Sequence, residues 1–167
     1  NYNIGYDPDT FDPQACNNLE NNVILTQIYD TLLRENLNGV FEPSLAESYT
    51  VSEDGLVYTF ILKEGLKFAD GSPLTTEDVI YSWARALDPA NAFEYAYQLY
   101  YIKNGESYNM GNASASDLGL KAVDARTLEV TLENPAPYFA SLTGFGTYGV
   151  ISKAFAEAQA TYGADLD

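Results

Sequence analysis

The feature that most constrains the fold is an alternating run of apolar residues between positions 56 and 63. In the stretch LVYTFILK, every second residue from Leu56 to Leu62 is bulky and apolar. This is the pattern of a β-strand with one face in the core. Glu53-Asp54-Gly55 precedes the strand as a turn. Glu64-Gly65 is expected to turn the chain into a short hairpin partner at Leu66–Phe68.

A helix is predicted directly after this hairpin. Asp70-Gly71 forms a tight turn, and Thr75 is an N-cap residue with Asp78 three positions later, as in a capping box. Val79, Ile80, Trp83, Ala84 and Leu87 then share one helical face, so Trp83 is predicted to lie in the core. Asp88-Pro89 ends the helix. Residues Leu45–Pro89 are therefore expected to form a rigid hairpin–turn–helix unit.

The rest of the chain alternates between strand and helix patterns. In chain order we expect a strand at 2–6, a largely buried helix capped by Asn17 or Asn18 with a stripe from Val23 to Leu32, a hairpin at 118–132, a short helix at 138–142 and a last helix at 152–162. Hairpins interleaved with helices predict an α+β fold with a mixed sheet and covering helices.

Charge and cysteine content exclude several classes of function. The chain has 24 acidic and 8 basic residues, no His and a net charge of −16. Such a charge disfavours nucleic acid and anionic lipid, because both are bound mainly through Lys and Arg. Cys16 is the single cysteine, so an intrachain disulfide is impossible. No stretch reaches the length of a membrane span, and no leader pattern opens the chain.

The sequence contains few of the residues and motifs that enzymes use for catalysis. Without His, triads that use a His base cannot form, and no phosphate-binding glycine loop is present. Asp7, Asp9 and Asp12 cluster, but their spacing does not match a calcium loop, so an acidic turn is the simpler interpretation. Paired carboxylates of a glycoside hydrolase remain an alternative. The tyrosines of the segment FEYAYQLYY, residues 93–101, suit either a core edge or a ligand cleft.

One segment carries a specific resemblance to a known family. It runs through LAES at 45–48, VYTF at 57–60, LKEGLKFADGSPLTTEDV at 62–79 and YSW at 81–83. This resembles the hallmark of the peptide- and oligopeptide-binding proteins of ABC importers, solute-binding protein family 5. Further matches follow in family order, at Asp12-Pro13, residues 28–33, Asp88-Pro89, residues 117–119, 122–124, 127–132 and 135–139.

The resemblance implies an incomplete periplasmic-binding-protein type II fold. Family members are about three times longer and close two lobes over the ligand. Residues 1–30 would then be a fragment of the first lobe, residues 31–152 an extra α+β domain inserted in that lobe, and residues 153–167 the return into it. Both ends of the chain are accordingly expected to be internal to a longer protein, of which this chain is an N-terminal fragment.

The resemblance also implies a function and a site. The protein would be a non-enzymatic, extracytoplasmic receptor, periplasmic or lipid-anchored, that binds peptides and delivers them to an ABC permease. No cofactor or metal is implied. Asn17, Asn18 and Leu19 are expected to pair with peptide backbone, and Tyr95 stands where a family tyrosine approaches the ligand. A non-peptide solute such as a nickel chelate, haem or sugar is the main alternative, and a docking module is another. The chain alone is expected to bind peptide weakly and to self-associate.

Overall fold

The alternating segment forms the centre of a four-stranded sheet. The computed structural model describes residues 8–159. Strand β4 (Val57–Leu62) pairs with β3 (Ala46–Val51) on one side and with β6 (Thr127–Thr131) on the other, and β5 (Leu120–Ala122) pairs with β6. The order is β3-β4-β6-β5. Tyr58, Phe60 and Leu62 are buried, as their alternation predicts.

All strand pairings in the described part of the chain are antiparallel, including that of the short strands β1 (Leu33–Glu35) and β2 (Phe41–Pro43). The α+β class is confirmed. The expected mixed sheet would need a parallel pairing, and none occurs within residues 8–159.

The hairpin partner predicted for β4 was wrong. Strand β4 pairs with the preceding strand β3, not with Leu66–Phe68. Gly65 adopts φ +71 and turns the chain away from the sheet. Residues 66–68 instead bond with residues 72–74 in a small loop. Phe68 N–H donates to the Ser72 carbonyl, and Leu74 N–H donates to the Leu66 carbonyl. Backbone groups that pair within the loop are not available to β4.

Helix α2 (Thr76–Leu87) forms as predicted. The Asp78 carboxylate accepts hydrogen bonds from the Thr75 N–H (2.9 Å) and hydroxyl (3.1 Å), which satisfies donors at the helix start. The helix places Val79, Trp83 and Leu87 in the core, and the Trp83 indole N–H donates to the Tyr148 carbonyl at 3.1 Å. Trp83 is therefore a core residue, as expected.

Helix α1 (Leu19–Ile28) is much less buried than predicted. Asn18 is its N-cap, but the helix ends at Ile28, so Leu32 and Leu33 lie beyond it in the core around β1. Only Asn21 and Leu25 of the helix are buried, whereas Leu19 is 81% exposed and Ile28 56%. Of the apolar residues of α1, Leu25 is thus covered by other residues between 8 and 159, whereas Leu19, Val23 and Ile28 are exposed.

The later elements agree with the sequence. The β5–β6 hairpin, α4 (Phe139–Leu142) and α5 (Lys153–Ala158) follow in the expected order. A short helix, α3 (Gly105–Asn109), precedes this hairpin. The strand predicted at 2–6 lies outside the described residues, and the last helix, predicted to run to residue 162, ends at Ala158 with Gln159 as its C-cap. None of the helices within residues 8–159 is long and apolar enough to cross a membrane.

Candidate functional site

A small pocket lies at the N-terminus of α1. It has a volume of about 200 Å³, and three chain segments form it: the loop before α1, the aromatic stretch around residue 95 and the glycine-rich return at 145–147. All four predicted site residues line it: Asn17, Asn18, Leu19 and Tyr95. The structure therefore brings together residues that are up to 78 positions apart in the sequence.

The two asparagines have different tasks. The Asn18 Oδ1 accepts the N–H of Asn21 at 2.8 Å, so this side chain is occupied by capping α1. The Asn17 Nδ2 donates to Glu94 Oε2 at 3.0 Å, which connects the loop to the aromatic stretch. Leu19 projects outward, with 81% of its surface exposed.

Tyr95 supports the loop from the other side of the pocket. Its hydroxyl donates to the Asn17 carbonyl at 3.4 Å. Its ring meets Phe145 edge-on at 5.8 Å and Tyr97 at 6.0 Å, both between ring centroids. Edge-to-face packing of this kind fixes the orientation of the ring. Tyr95 is thus held in place at the pocket wall.

Sequence reasoning missed the glycine-rich return as a part of this pocket and Glu94 as the partner of Asn17. A Cβ at Gly146 would lie 2.5 Å from Asn22 Oδ1, so a side chain there would require the Asn22 side chain to move. The glycines at 144, 146 and 149 are the sequence signal for this close approach. Glu94 carried no pattern of its own, because its role depends on the distant Asn17.

A buried ion pair holds the segment that leads into the pocket. Arg85 of α2 donates to both carboxylate oxygens of Asp12 and, at 2.7 Å, to Gln14 Oε1. The Gln14 Nε2 donates to the Gly149 carbonyl at 2.8 Å. Asp12 therefore neutralises Arg85, which argues against the calcium alternative. No group of three metal-ligating side chains occurs in the described part of the chain.

The pKa shifts of Cys16 and of four turn aspartates are not those of a nucleophile or a general acid. Burial raises the pKa of the Cys16 thiol, whereas a nucleophilic cysteine needs a lowered one. The pKa values of Asp54, Asp70, Asp117 and Asp124 are lowered by hydrogen bonds from neighbouring hydroxyls and backbone N–H groups. These four carboxylates stabilise turns, and a general acid would need its pKa raised.

Comparison with known proteins identifies the family. Residues 40–165 match the model of the bacterial extracellular solute-binding proteins, family 5 Middle. The chain belongs to solute-binding protein family 5. It is 42% identical over 157 residues to the oligopeptide-binding protein OppA of Bacillus subtilis (strain 168), covering 94% of this chain and 29% of OppA.

Solved structures of the family agree with the fold. The substrate-binding domain of the oligopeptide ABC transporter from Bacillus anthracis str. Ames superposes with a TM-score of 0.91 at 38% identity, over 94% of this chain and 30% of that one. Listeria monocytogenes OppA bound to peptide gives 0.86 at 35% identity, over 89% and 30%. The expected periplasmic peptide-binding fold is confirmed, and the chain spans about 30% of these family-5 relatives.

Proposed function

We propose that this chain is part of an extracytoplasmic receptor that binds peptides and delivers them to the permease of an ABC importer. The observation that carries the proposal is the pocket where the loop backbone at residues 17–19 meets Tyr95. Relatives in the same family are named for oligopeptide binding, and one has been solved with a peptide bound. The receptor binds and releases its solute without chemical change.

The geometry supports recognition through peptide backbone. Extended peptides bind by adding a strand to an exposed backbone edge, which fixes their length and direction but tolerates varied side chains. The loop at 17–19 is held from within by Asn18 capping, by the Asn17–Glu94 contact and by the Tyr95 hydroxyl. A loop held in this way loses little conformational entropy when a ligand pairs with it.

We also propose a division of the chain, based on its likeness to solute-binding protein family 5. Residues 1–30 and 153–167 would belong to the first lobe, and residues 31–152 to an extra domain inserted in that lobe. Leu19, Val23 and Ile28 of α1 leave 81%, 45% and 56% of their surfaces exposed, as expected if another part of a longer protein covers this helix. The solute would then lie between this part and a second lobe encoded elsewhere in the gene.

Calorimetry on the full-length protein tests the function. Peptides of two to five residues with varied side chains should bind with affinities that depend on length more than on sequence. Tyr95→Phe removes the hydroxyl that supports the loop and should weaken binding about fivefold, the effect of one lost neutral hydrogen bond. Tyr49→Phe is the matched control, because Tyr49 is 42% exposed on β3 and does not line the pocket.

Two results would contradict the proposal. If no peptide binds while a nickel chelate, haem or a sugar does, the ligand class is wrong and the family alternative holds. If peptides bind but Tyr95→Phe and Asn17→Ala behave like Tyr49→Phe, the pocket at α1 is not part of the site. The isolated 167-residue chain should bind peptide weakly, because it lacks the groups of a second lobe.

A further inference from the structure

A second and larger pocket lies on another face of the molecule. Its volume is about 540 Å³, in the range of small-molecule sites. The segment 97–106 and the loop 133–138 form it. Its aromatic and acidic lining consists of Tyr97, Tyr100, Tyr101, Tyr138, Glu106 and Glu133.

The tyrosine rings of this pocket are fixed but still accessible. Tyr101 meets Tyr138 edge-on at 5.6 Å, and the Tyr100 hydroxyl donates to Asn109 Oδ1 at 2.6 Å. Tyr97 and Tyr138 nevertheless leave 50% and 54% of their surface exposed. The face of an aromatic ring carries negative potential and attracts a cation placed above it.

The two glutamates add negative charge to the same pocket. Glu133 Oε2 accepts the N–H of Asn104 at 3.0 Å, which orients the carboxylate, and Glu106 is exposed at the start of α3. Neither glutamate forms a salt bridge with any residue between 8 and 159. Lys103 is the one basic residue in the two segments, and it does not line the pocket. The pocket therefore has negative charge without an internal cation.

We propose that this pocket binds a small organic ammonium cation, with its ammonium group against the tyrosine faces and near the two carboxylates. A flexible alkyl diamine fits this chemistry, because one ammonium group can contact the rings while the other contacts a carboxylate. Aromatic rings combined with carboxylates are a recognised arrangement for alkylammonium ligands. The site does not involve the loop at 17–19, so this proposal does not depend on peptide binding.

Titration of the full-length protein with 1,5-diaminopentane tests the proposal, with the ring resonances of Tyr97 and Tyr138 as the readout. Physiological ionic strength should be used, because a screening length of about 8 Å suppresses diffuse attraction to a strongly acidic protein. Both resonances should shift in a saturable way. Tyr138→Leu should weaken binding about two- to fivefold, as expected for one exposed cation–π contact.

A charge-matched pair of variants separates the site from general acidity. Glu106→Gln/Glu133→Gln should weaken binding at least about threefold, and the amide introduced at position 133 still offers an oxygen to the Asn104 N–H. Glu53→Gln/Glu64→Gln removes the same charge from exposed positions outside the pocket and should leave binding unchanged. Equal weakening by both pairs would refute the proposal, as would the absence of saturable shifts. Shifts produced by maltose but not by the diamine would refute it too, in favour of stacking with a neutral ring.

Discussion

The buried ion pair between Asp12 and Arg85 gives the sharpest test of how this structure is held together. The side chains are only 3% and 14% exposed, and Arg85 also contacts Gln14 and lies 5.0 Å from the Phe93 ring centroid. Asp12→Ala removes the carboxylate that pairs with both guanidinium nitrogens of the largely buried Arg85. The pair also connects the segment before α1 to α2, so its loss should loosen the loop at 17–19.

The expected loss in the free energy of unfolding follows from the burial of the ion pair. Removing one partner of a buried ion pair typically lowers the free energy of unfolding by about 3–5 kcal/mol. The lower end of this range applies here, because Gln14 Oε1 still accepts a hydrogen bond from Arg85. With a typical urea dependence of about 2 kcal/mol per molar, a loss of about 3 kcal/mol lowers the midpoint of unfolding by about 1.5 M. Arg85→Met keeps much of the volume but leaves the Asp12 carboxylate, only 3% exposed, without its ion-pair partner, so it should cost about as much as Asp12→Ala.

Urea unfolding of the 167-residue chain, followed by circular dichroism, measures these costs. Asp12→Ala, Arg85→Met and the double variant form a double-mutant cycle. Glu129→Ala is the control, because the Lys121–Glu129 pair is 66% and 34% exposed and such pairs contribute less than about 1 kcal/mol. The reasoning is refuted if Asp12→Ala costs no more than Glu129→Ala, or if the double variant is less stable than Asp12→Ala alone.

Four further outcomes are expected. Trp83→Phe should lower the free energy of unfolding by about 1–3 kcal/mol, measured by urea unfolding, because it removes the donor to the Tyr148 carbonyl. Gly119→Ala should destabilise the chain by a similar amount, about 1–3 kcal/mol, because the new methyl group would collide with the Thr131 carbonyl; thermal unfolding checks this. Burial raises the pKa of Tyr58 and Tyr148, so the unfolded chain loses these protons above about pH 10 while the folded chain retains them. Stability should therefore fall as the pH rises beyond about 10, and Tyr58→Phe/Tyr148→Phe should flatten that decline in urea midpoints. Self-association of the isolated chain, measured by sedimentation, should decrease in Ile28→Asp/Phe155→Asp, since these apolar residues are 56% and 53% exposed.

Local patterns predicted the elements whose signals lie close together in the sequence. The capping box at Thr75 and Asp78 and the buried face of α2 follow from spacing alone, and both are confirmed. The alternation at 56–63 also placed β4 correctly, within a residue of each end. These predictions succeed because the stabilising contacts are local and because helix and strand periods differ.

Which strands pair with each other and which helix faces are buried could not be predicted from local patterns. The pattern around Gly65 was compatible with a hairpin, but the pairing of β4 with β3 depends on how residues 66–74 bond among themselves. The apolar stripe predicted that α1 is largely buried, and this was wrong, because periodicity does not reveal whether another segment covers a helix. The contact between Asn17 and Glu94 joins residues 77 positions apart and left no signal in either neighbourhood.

The candidate site depends mainly on such long-range contacts. Hydrogen bonds hold the loop at 17–19 and the segment before it: Arg85 donates to Asp12, and Gln14 donates to the Gly149 carbonyl. Asn17 contacts both Glu94 and the Tyr95 hydroxyl. Every one of these contacts comes from residues between 85 and 149. Recognition through backbone requires a loop that is already ordered, because each loop residue fixed on binding costs about 1–2 kcal/mol of conformational entropy. If peptide binds at this loop, as proposed, these contacts contribute to affinity chiefly by ordering the loop, and their loss should lower affinity even where they touch no part of the ligand.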